Sequence, residues 1–173
     1  LVVSHFKGHI CAGFGGGVKN LGMGALTKKT KSEIHGGAKP ELIGKCTKCE
    51  ACVRSCPLDG IRLDENGPVF EMCYGCSNCV YSCTADVLKT KLNYFDVLLG
   101  EGAAVAASQF KKAFYLNYMI NITKRCDCLK DSGAIIAENA GYLASEDGVA
   151  IDKAAYDIIV KQAGEDVFLK NNK

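Results

Sequence analysis

Phe114, Leu116, Tyr118, Ile120 and Ile122 alternate with polar or small residues, the period-two pattern of a half-buried strand. Leu1–Phe6 reads as a first strand, and short strands are predicted at Ala134–Ala137 and Gly141–Ala144. Two segments carry helical spacing instead. Phe95, Leu98, Leu99, Ala103, Ala106 and Phe110 form one apolar face over Tyr94–Phe110, with Gly100 and Gly102 weakening its continuity. Ile151, Ala155, Ile158 and Ile159 form another over Gly148–Ala163, with Asp147 or Ser145 as N-cap and Gly164 as the stop. Strands interleaved with helices predict an α+β chain, with an α/β-like host.

Between the first strand and the next periodic segment, six glycines fall within Gly13–Gly24. Glycine admits positive φ, and successive amides in such a loop make anion-binding nests to which Lys19 would add charge. Val18 stands where a G-x-G-x-x-G loop needs its third glycine, so the stretch is not a dinucleotide fingerprint. Tight chain reversal and close packing are the competing explanation for the glycines.

The cysteines change the picture most. Of 11, eight lie between positions 46 and 83, as Cys46-x-x-Cys49-x-x-Cys52-x-x-x-Cys56-Pro57 and Cys73-x-x-Cys76-x-x-Cys79-x-x-x-Cys83. Each cysteine of the first run recurs 27 residues later, and Asp59/Asp86, Ile61/Leu88 and Ile43/Phe70 recur with them, an internal duplication. Three thiolates at i, i+3 and i+6 converge on one [4Fe-4S] cube, and the fourth cysteine of such a run ligates the other cluster. The expected sets are therefore Cys46, Cys49, Cys52 and Cys83 for one cluster, and Cys73, Cys76, Cys79 and Cys56 for the other. Zinc sites, usually built from two separated pairs, and disulfides fit this spacing less well. Thr84 replaces the proline in the second run and removes no ligand. Ile43, Val53, Ile61, Leu63, Val69, Phe70, Val80 and Leu88 are the expected apolar packing around the clusters. So short a segment needs such a staple to fold.

Charge sets this segment apart. Leu1–Pro40 has six Lys and one Glu, while Glu41–Thr90 has five basic and seven acidic residues. The predicted organisation is a host in two parts, 1–39 and 92–173, around a ferredoxin-type insert at 40–91. The chain's net charge of +2 gives no reason to expect nucleic acid, and no stretch reaches the length of a membrane span. Lys28-Lys29-Thr30-Lys31 reads as a solvated face, and His5 and His35 as structural or surface histidines.

Cys126 and Cys128 are two apart and so share a face in an extended chain, as do His9 and Cys11. If Leu1–Phe6 and Phe114–Ile122 are parallel neighbours, the glycine stretch with Lys19 and Asn20 faces Cys126 and Cys128 at one sheet edge. His9 would then join the two cysteines as a third metal ligand with an open fourth position. The alternative is buried thiols acting as small hydrophobes.

Four stretches together carry a family resemblance: Lys7-Gly8-His9 with Gly13–Gly24; the double cysteine run; Lys124-Arg125-Cys126-Asp127-Cys128 with Asp131-Ser132-Gly133; and Gly141–Ser145 with Val149–Asp152. The chain resembles the iron–sulfur proteins catalogued as domain of unknown function 362, in the form carrying a bicluster ferredoxin insert. His9, Lys19, Asn20, Cys126, Cys128 and Asp131 match that family's motif positions, and Cys11 does not. The resemblance implies a longer protein with a further α/β portion upstream, in keeping with a chain that opens on Leu1. It implies no substrate. The expected function is electron transfer through two [4Fe-4S] clusters, to or from a redox partner protein, the upstream part of the same protein, or a site in the host. A redox enzyme binding an anionic substrate at the glycine stretch, and a structural or regulatory cluster module, are the alternatives. Oxygen-labile clusters point to a cytoplasmic setting.

Overall fold

The computed structural model describes residues 1–171. In chain order the strands are β1 (Val2–His5), β2 (Lys7–His9), β3 (Gly13–Gly15), β4 (Pro40–Leu42), β5 (Ile61–Leu63), β6 (Pro68–Phe70), β7 (Leu88–Thr90), β8 (Tyr115–Met119), β9 (Ile122–Thr123), β10 (Ile135–Ala137) and β11 (Gly141–Ser145). The helices are α1 (Gly17–Gly24), α2 (Lys28–Gly37), α3 (Ala51–Arg54), α4 (Asn78–Tyr81), α5 (Phe95–Ser108), α6 (Gly148–Ala163) and α7 (Val167–Asn171). The chain is α+β and its described residues form two compact units, one of Leu1–Leu26 with 99–171, the other of Thr27–Leu98. Among the described residues, no helix is long and apolar enough to cross a membrane.

The first unit is organised by a three-stranded sheet in the order β1-β8-β11, with β1 parallel and β11 antiparallel to the central β8. Tyr115, Asn117 and Met119 point from β8 into the interior, as period two requires. Phe6, Met119, Ile122, Ala155, Ile159, Val167 and Phe168 form the core, with Phe14 stacked on Phe6. The expected strand Phe114–Ile122 is interrupted: Asn121 adopts a left-handed φ of 52°, its amide donates to Asn139 Oδ1, and β9 leaves to pair with β10. Asp147 caps α6 by accepting from the Val149 and Ala150 amides, and Gly164 ends it at φ 71°. Ile158, expected on the buried face, is exposed, and Asp152 is buried in that face instead.

The glycine stretch is not an open loop. It forms β3, which pairs with β2, and then α1, which contains three glycines, Gly17, Gly22 and Gly24. Such a sequence has poor helix propensity, so tertiary contacts hold it. Asp152 supplies the main one: its carboxylate accepts from the Gly17 and Val18 amides at 2.6 and 2.9 Å and from Asn117 Nδ2 at 2.7 Å. The anion at this helix N-terminus is thus the chain's own side chain. Close packing explains the glycines, since a Cβ on Gly16 would lie 2.2 Å from Asp152 Oδ1 and one on Gly22 2.7 Å from the Leu99 carbonyl oxygen.

In the second unit the duplication is written in the backbone. Lys48, Glu50 and Asp59 have positive φ, and so do Gly75, Ser77 and Asp86, each 27 positions later. Helices α3 and α4 are related by the same shift, as are β5 and β7. Two antiparallel ribbons join the halves: β4 pairs with β7 from the second repeat, and β5 pairs with β6. Ile61, Val80 and Leu88 are buried between them with Val53, Leu63 and Phe70 packed alongside, whereas Ile43 is exposed. The unit extends past 40–91 on both sides, because the flanking chain is bonded to it. The Leu92 amide donates to the Gly37 carbonyl, Lys91 to Lys39, and Ser77 Oγ bridges the Ala38 carbonyl and the Phe95 amide. Helix α5 runs unbroken through Gly100 and Gly102 with Phe95, Leu99, Ala103 and Ala106 buried, and Phe110 lies exposed beyond its end.

Candidate functional site

Each cysteine run of the second unit opens in an extended loop and closes in a one-turn helix, which turns its first three cysteines toward a common centre. The helices start from Glu50 and Ser77, both left-handed, a costly conformation for residues with a Cβ. Amides point at sulfur: Lys48 N at Cys46 Sγ (3.3 Å), Gly75 N at Cys73 Sγ (3.4 Å) and Gly60 N at Cys56 Sγ (3.4 Å). Two cavities result. One is lined by Cys46, Cys49, Cys52 and Cys83, with Leu42, Leu63 and Leu88. The other is lined by Cys73, Cys76, Cys79 and Cys56, with Pro40, Ile61 and Met72. Counting the space open to solvent at their mouths, they measure about 330 and 320 Å³, near-equal volumes as a duplicated unit should have. Each takes three cysteines from one run and the fourth from the other.

The sulfurs crowd one another in an apolar setting. Burial, then the neighbouring Cys76, Cys73, Cys52 and Cys56, pushes the Cys79 thiol up to about 12. Burial also raises Cys52 and Cys76, with Cys46 and Cys49 adding to the first and Cys56 and Cys73 to the second. Cys49 moves the other way, because the Ala51 amide and the Thr84 and Thr47 hydroxyls donate to it. Crowded, buried thiols are poor at ionising alone, and a cationic metal group is what reverses that cost.

A second cluster of side chains lies in the first unit. Strand β1 runs parallel to β8, and the chain leaving each brings His9 and Cys126 together. A ring nitrogen of His9 and the sulfurs of Cys126 and Cys128 all lie within 4.8 Å of one another. His9 and Cys126 are buried and Cys128 is exposed. His9 Nδ1 accepts from the amides of Cys11 and Ala12 at 3.2 and 3.1 Å, which fixes the ring. Lys19, also buried, donates from Nζ to Cys126 Sγ at 3.1 Å, and the Cys128 amide points at the same sulfur at 3.4 Å. Burial works to raise the Cys126 thiol, but hydrogen bonds from Cys128 and Lys19 and the Lys19 charge outweigh it and hold the thiol below its ordinary range. Burial, then Cys126 itself, pushes Cys128 up. Asn20 stands one step away: its Oδ1 accepts from Lys7 Nζ at 3.0 Å. Asp131 shapes the following loop by accepting from the Gly133 amide, and is itself exposed.

A family model described as a domain of unknown function (DUF362) matches residues 1–157. The chain belongs to the DUF362 family. No curated protein and no solved structure matches it.

Within this DUF362 chain, residue-by-residue reading missed three participants around Cys126. Lys7 is buried, donates to the His5 carbonyl and Asn20, and lies 3.5 Å from Asp127. Asp127, between the two cysteines, also accepts from His5, whose other ring nitrogen faces the Ile120 carbonyl. Burial works to raise the Asp127 carboxyl, but Lys7 and His5 hold it below the usual range. Gly8 permits the approach: a Cβ there would lie 2.1 Å from the Lys124 carbonyl oxygen. The signal for Lys7 was a lysine inside a short strand, two residues before His9. His35 is structural, facing the Tyr74 carbonyl at 2.6 Å, and the Lys28–Lys31 tract is solvated on α2.

Proposed function

We propose that this chain is an electron-transfer protein or module whose second unit holds two [4Fe-4S] clusters. Cys46, Cys49, Cys52 and Cys83 hold one, and Cys73, Cys76, Cys79 and Cys56 hold the other. The observation that carries this reading is the pair of cavities, each lined by three cysteines of one run and the last cysteine of its repeat. The donor chemistry supports it: four thiols per cavity, amides aimed at sulfur and largely apolar walls. Such clusters, when bound, supply single-electron transfer at a potential set by their surroundings. The protein's part is to fix the thiolates, exclude water with Leu42, Leu63, Leu88 and Ile61, and shield the charge with amides. The electron-transfer reading stands ahead of an anion-binding enzyme, because the α1 amides offered to an anion are already bonded to Asp152. The electron partner is a redox protein or an upstream part of the same protein, in a reducing compartment such as the cytoplasm. Anaerobic reconstitution followed by elemental analysis tests the reading. About eight iron and eight acid-labile sulfide per chain are expected for two four-iron clusters; two zinc ions and no sulfide would overturn it.

A further inference from the structure

We propose that His9, Cys126 and Cys128 form a separate mononuclear site for a thiophilic divalent ion of the Zn²⁺ class, with an open coordination position. Three observations carry it. First, one nitrogen and two sulfur donors from segments 117 or more residues apart converge within 4.8 Å. A single tetrahedral ion with Zn–S of about 2.3 Å and Zn–N of about 2.0 Å spans such a triangle after small side-chain shifts. Second, Cys126 repeats a local device found at Cys46 and Cys73. In all three places the amide two residues on points at sulfur, at 3.4, 3.3 and 3.4 Å respectively. Third, the surrounding groups support the ligands rather than fill their place. Lys19 donates to Cys126 Sγ, and Lys7 and His5 hold Asp127 between the two cysteines. Hydrogen bonds of this kind orient and retain metal-bound thiolates.

The amides of Cys11 and Ala12 donate to Nδ1 of His9 and so hold the ring in place beside the two sulfurs. Buried donors on two corners and the exposed Cys128 on the third leave access from the Cys128 side. Two thiolates, one imidazole and a vacant fourth position constitute a catalytic rather than a structural zinc set. The ligand expected in that position is water or an oxygen or sulfur atom of a small substrate.

The site is independent of the cluster cysteines, and its test is built to stay so. Full-length wild type and Cys128→Ser are each loaded anaerobically with iron and sulfide, equilibrated with Zn²⁺ and desalted. Zinc plus iron is then counted per chain. The difference between the two proteins reads this site alone, whatever occupies the other eight cysteines. One fewer zinc in Cys128→Ser is expected, with His9→Gln also losing it and Lys19→Met weakening retention without abolishing it. Zinc-edge X-ray absorption on wild type should show two sulfurs and one imidazole at the differing ion. Cys128 is exposed, so its substitution leaves folding intact; should His9→Gln fail to fold, the Cys128 comparison still decides. Equal zinc in wild type and Cys128→Ser, with Cys126 and Cys128 alkylated at the same rate with and without Zn²⁺, would overturn the proposal and leave a metal-free thiolate pair.

Discussion

Replacing Asp152 by alanine removes the acceptor for three donors at once: the Gly17 and Val18 amides and Asn117 Nδ2, at 2.6, 2.9 and 2.7 Å. Asn117 is fully buried and Asp152 nearly so, and because Asn117 Oδ1 has no partner among the described residues, the Nδ2 bond to Asp152 is the one that holds this amide. A buried donor left without an acceptor costs about 1–3 kcal/mol. Against the sum stands relief of burying a carboxylate, a cost shown by the raised pKa of Asp152, which burial drives upward despite its hydrogen bonds from Asn117 and the Val18 and Gly17 amides. The net expectation for Asp152→Ala is about 3–5 kcal/mol, the range for breaking one side of a buried charged network. Asp152→Asn keeps one oxygen but turns an NH₂ toward an amide, so about 1–2 kcal/mol is expected, one charge-assisted bond. Amide exchange of α1 peptides, read by mass spectrometry under native conditions, reports this locally. Opening of α1 should accelerate in both variants, more in Ala than in Asn. A loss under about 1 kcal/mol in Asp152→Ala, or an Asn variant as damaged as Ala, would refute the view that this carboxylate holds the glycine-rich helix.

Gly8→Ala places a Cβ 2.1 Å from the Lys124 carbonyl oxygen, so an ordinary contact of 3.4 Å requires the strands to part by about 1.3 Å. A lowered melting temperature, with destabilisation of about 1–3 kcal/mol or more, is expected together with loss of zinc retention at His9 and Cys126. Gly75→Ala meets the His35 carbonyl at 2.2 Å and a φ of 71°, and should impair loading of the cavity lined by Cys73 while the other loads, as read by iron content. Asp166 accepts from the Phe168 and Leu169 amides at the start of α7 and from the Tyr156 hydroxyl. Burial works to raise its carboxyl, but the Tyr156 hydroxyl and the two amides hold it below its ordinary value. Its contribution is therefore full above the unfolded carboxylate pKa of about 4 and is lost as pH falls through the lower folded value. Asp166→Ala should cost about 1 kcal/mol at pH 7 and less in acid, as measured by denaturant titration.

The features legible in the sequence were those written in local pattern. The 27-residue repeat reappears as paired left-handed residues, because each cysteine loop needs the same turn geometry. The helix Gly148–Ala163 was readable because Asp147 and Gly164 punctuate it. Features set by partners distant in sequence were not. A run of glycines reads as a loop until Asp152, some 135 residues on, supplies the carboxylate that nucleates α1. For the same reason Ile158 and Asp152 exchange places: the polar residue is wanted inside, at Gly17. Lys19 is different: the parallel pairing of the two strands led to the expectation that it faces Cys126 and Cys128, and its ammonium does lie on the Cys126 sulfur 107 residues away. Gly8 carries no signal in its own neighbourhood, since its purpose is the close passage of Lys124.

The central claim is that each cluster is held by three cysteines of one run and the fourth of the other, and thiol accessibility tests it most directly. Wild type and Cys56→Ser are reconstituted anaerobically, treated briefly with an alkylating agent, and mapped by peptide mass spectrometry. All eight cysteines from Cys46 to Cys83 should be protected in wild type. In Cys56→Ser, alkylation should appear at Cys73, Cys76 and Cys79, while Cys46, Cys49, Cys52 and Cys83 stay protected. Exposure of Cys46, Cys49 and Cys52 in that variant, with Cys73, Cys76 and Cys79 still protected, would contradict the account.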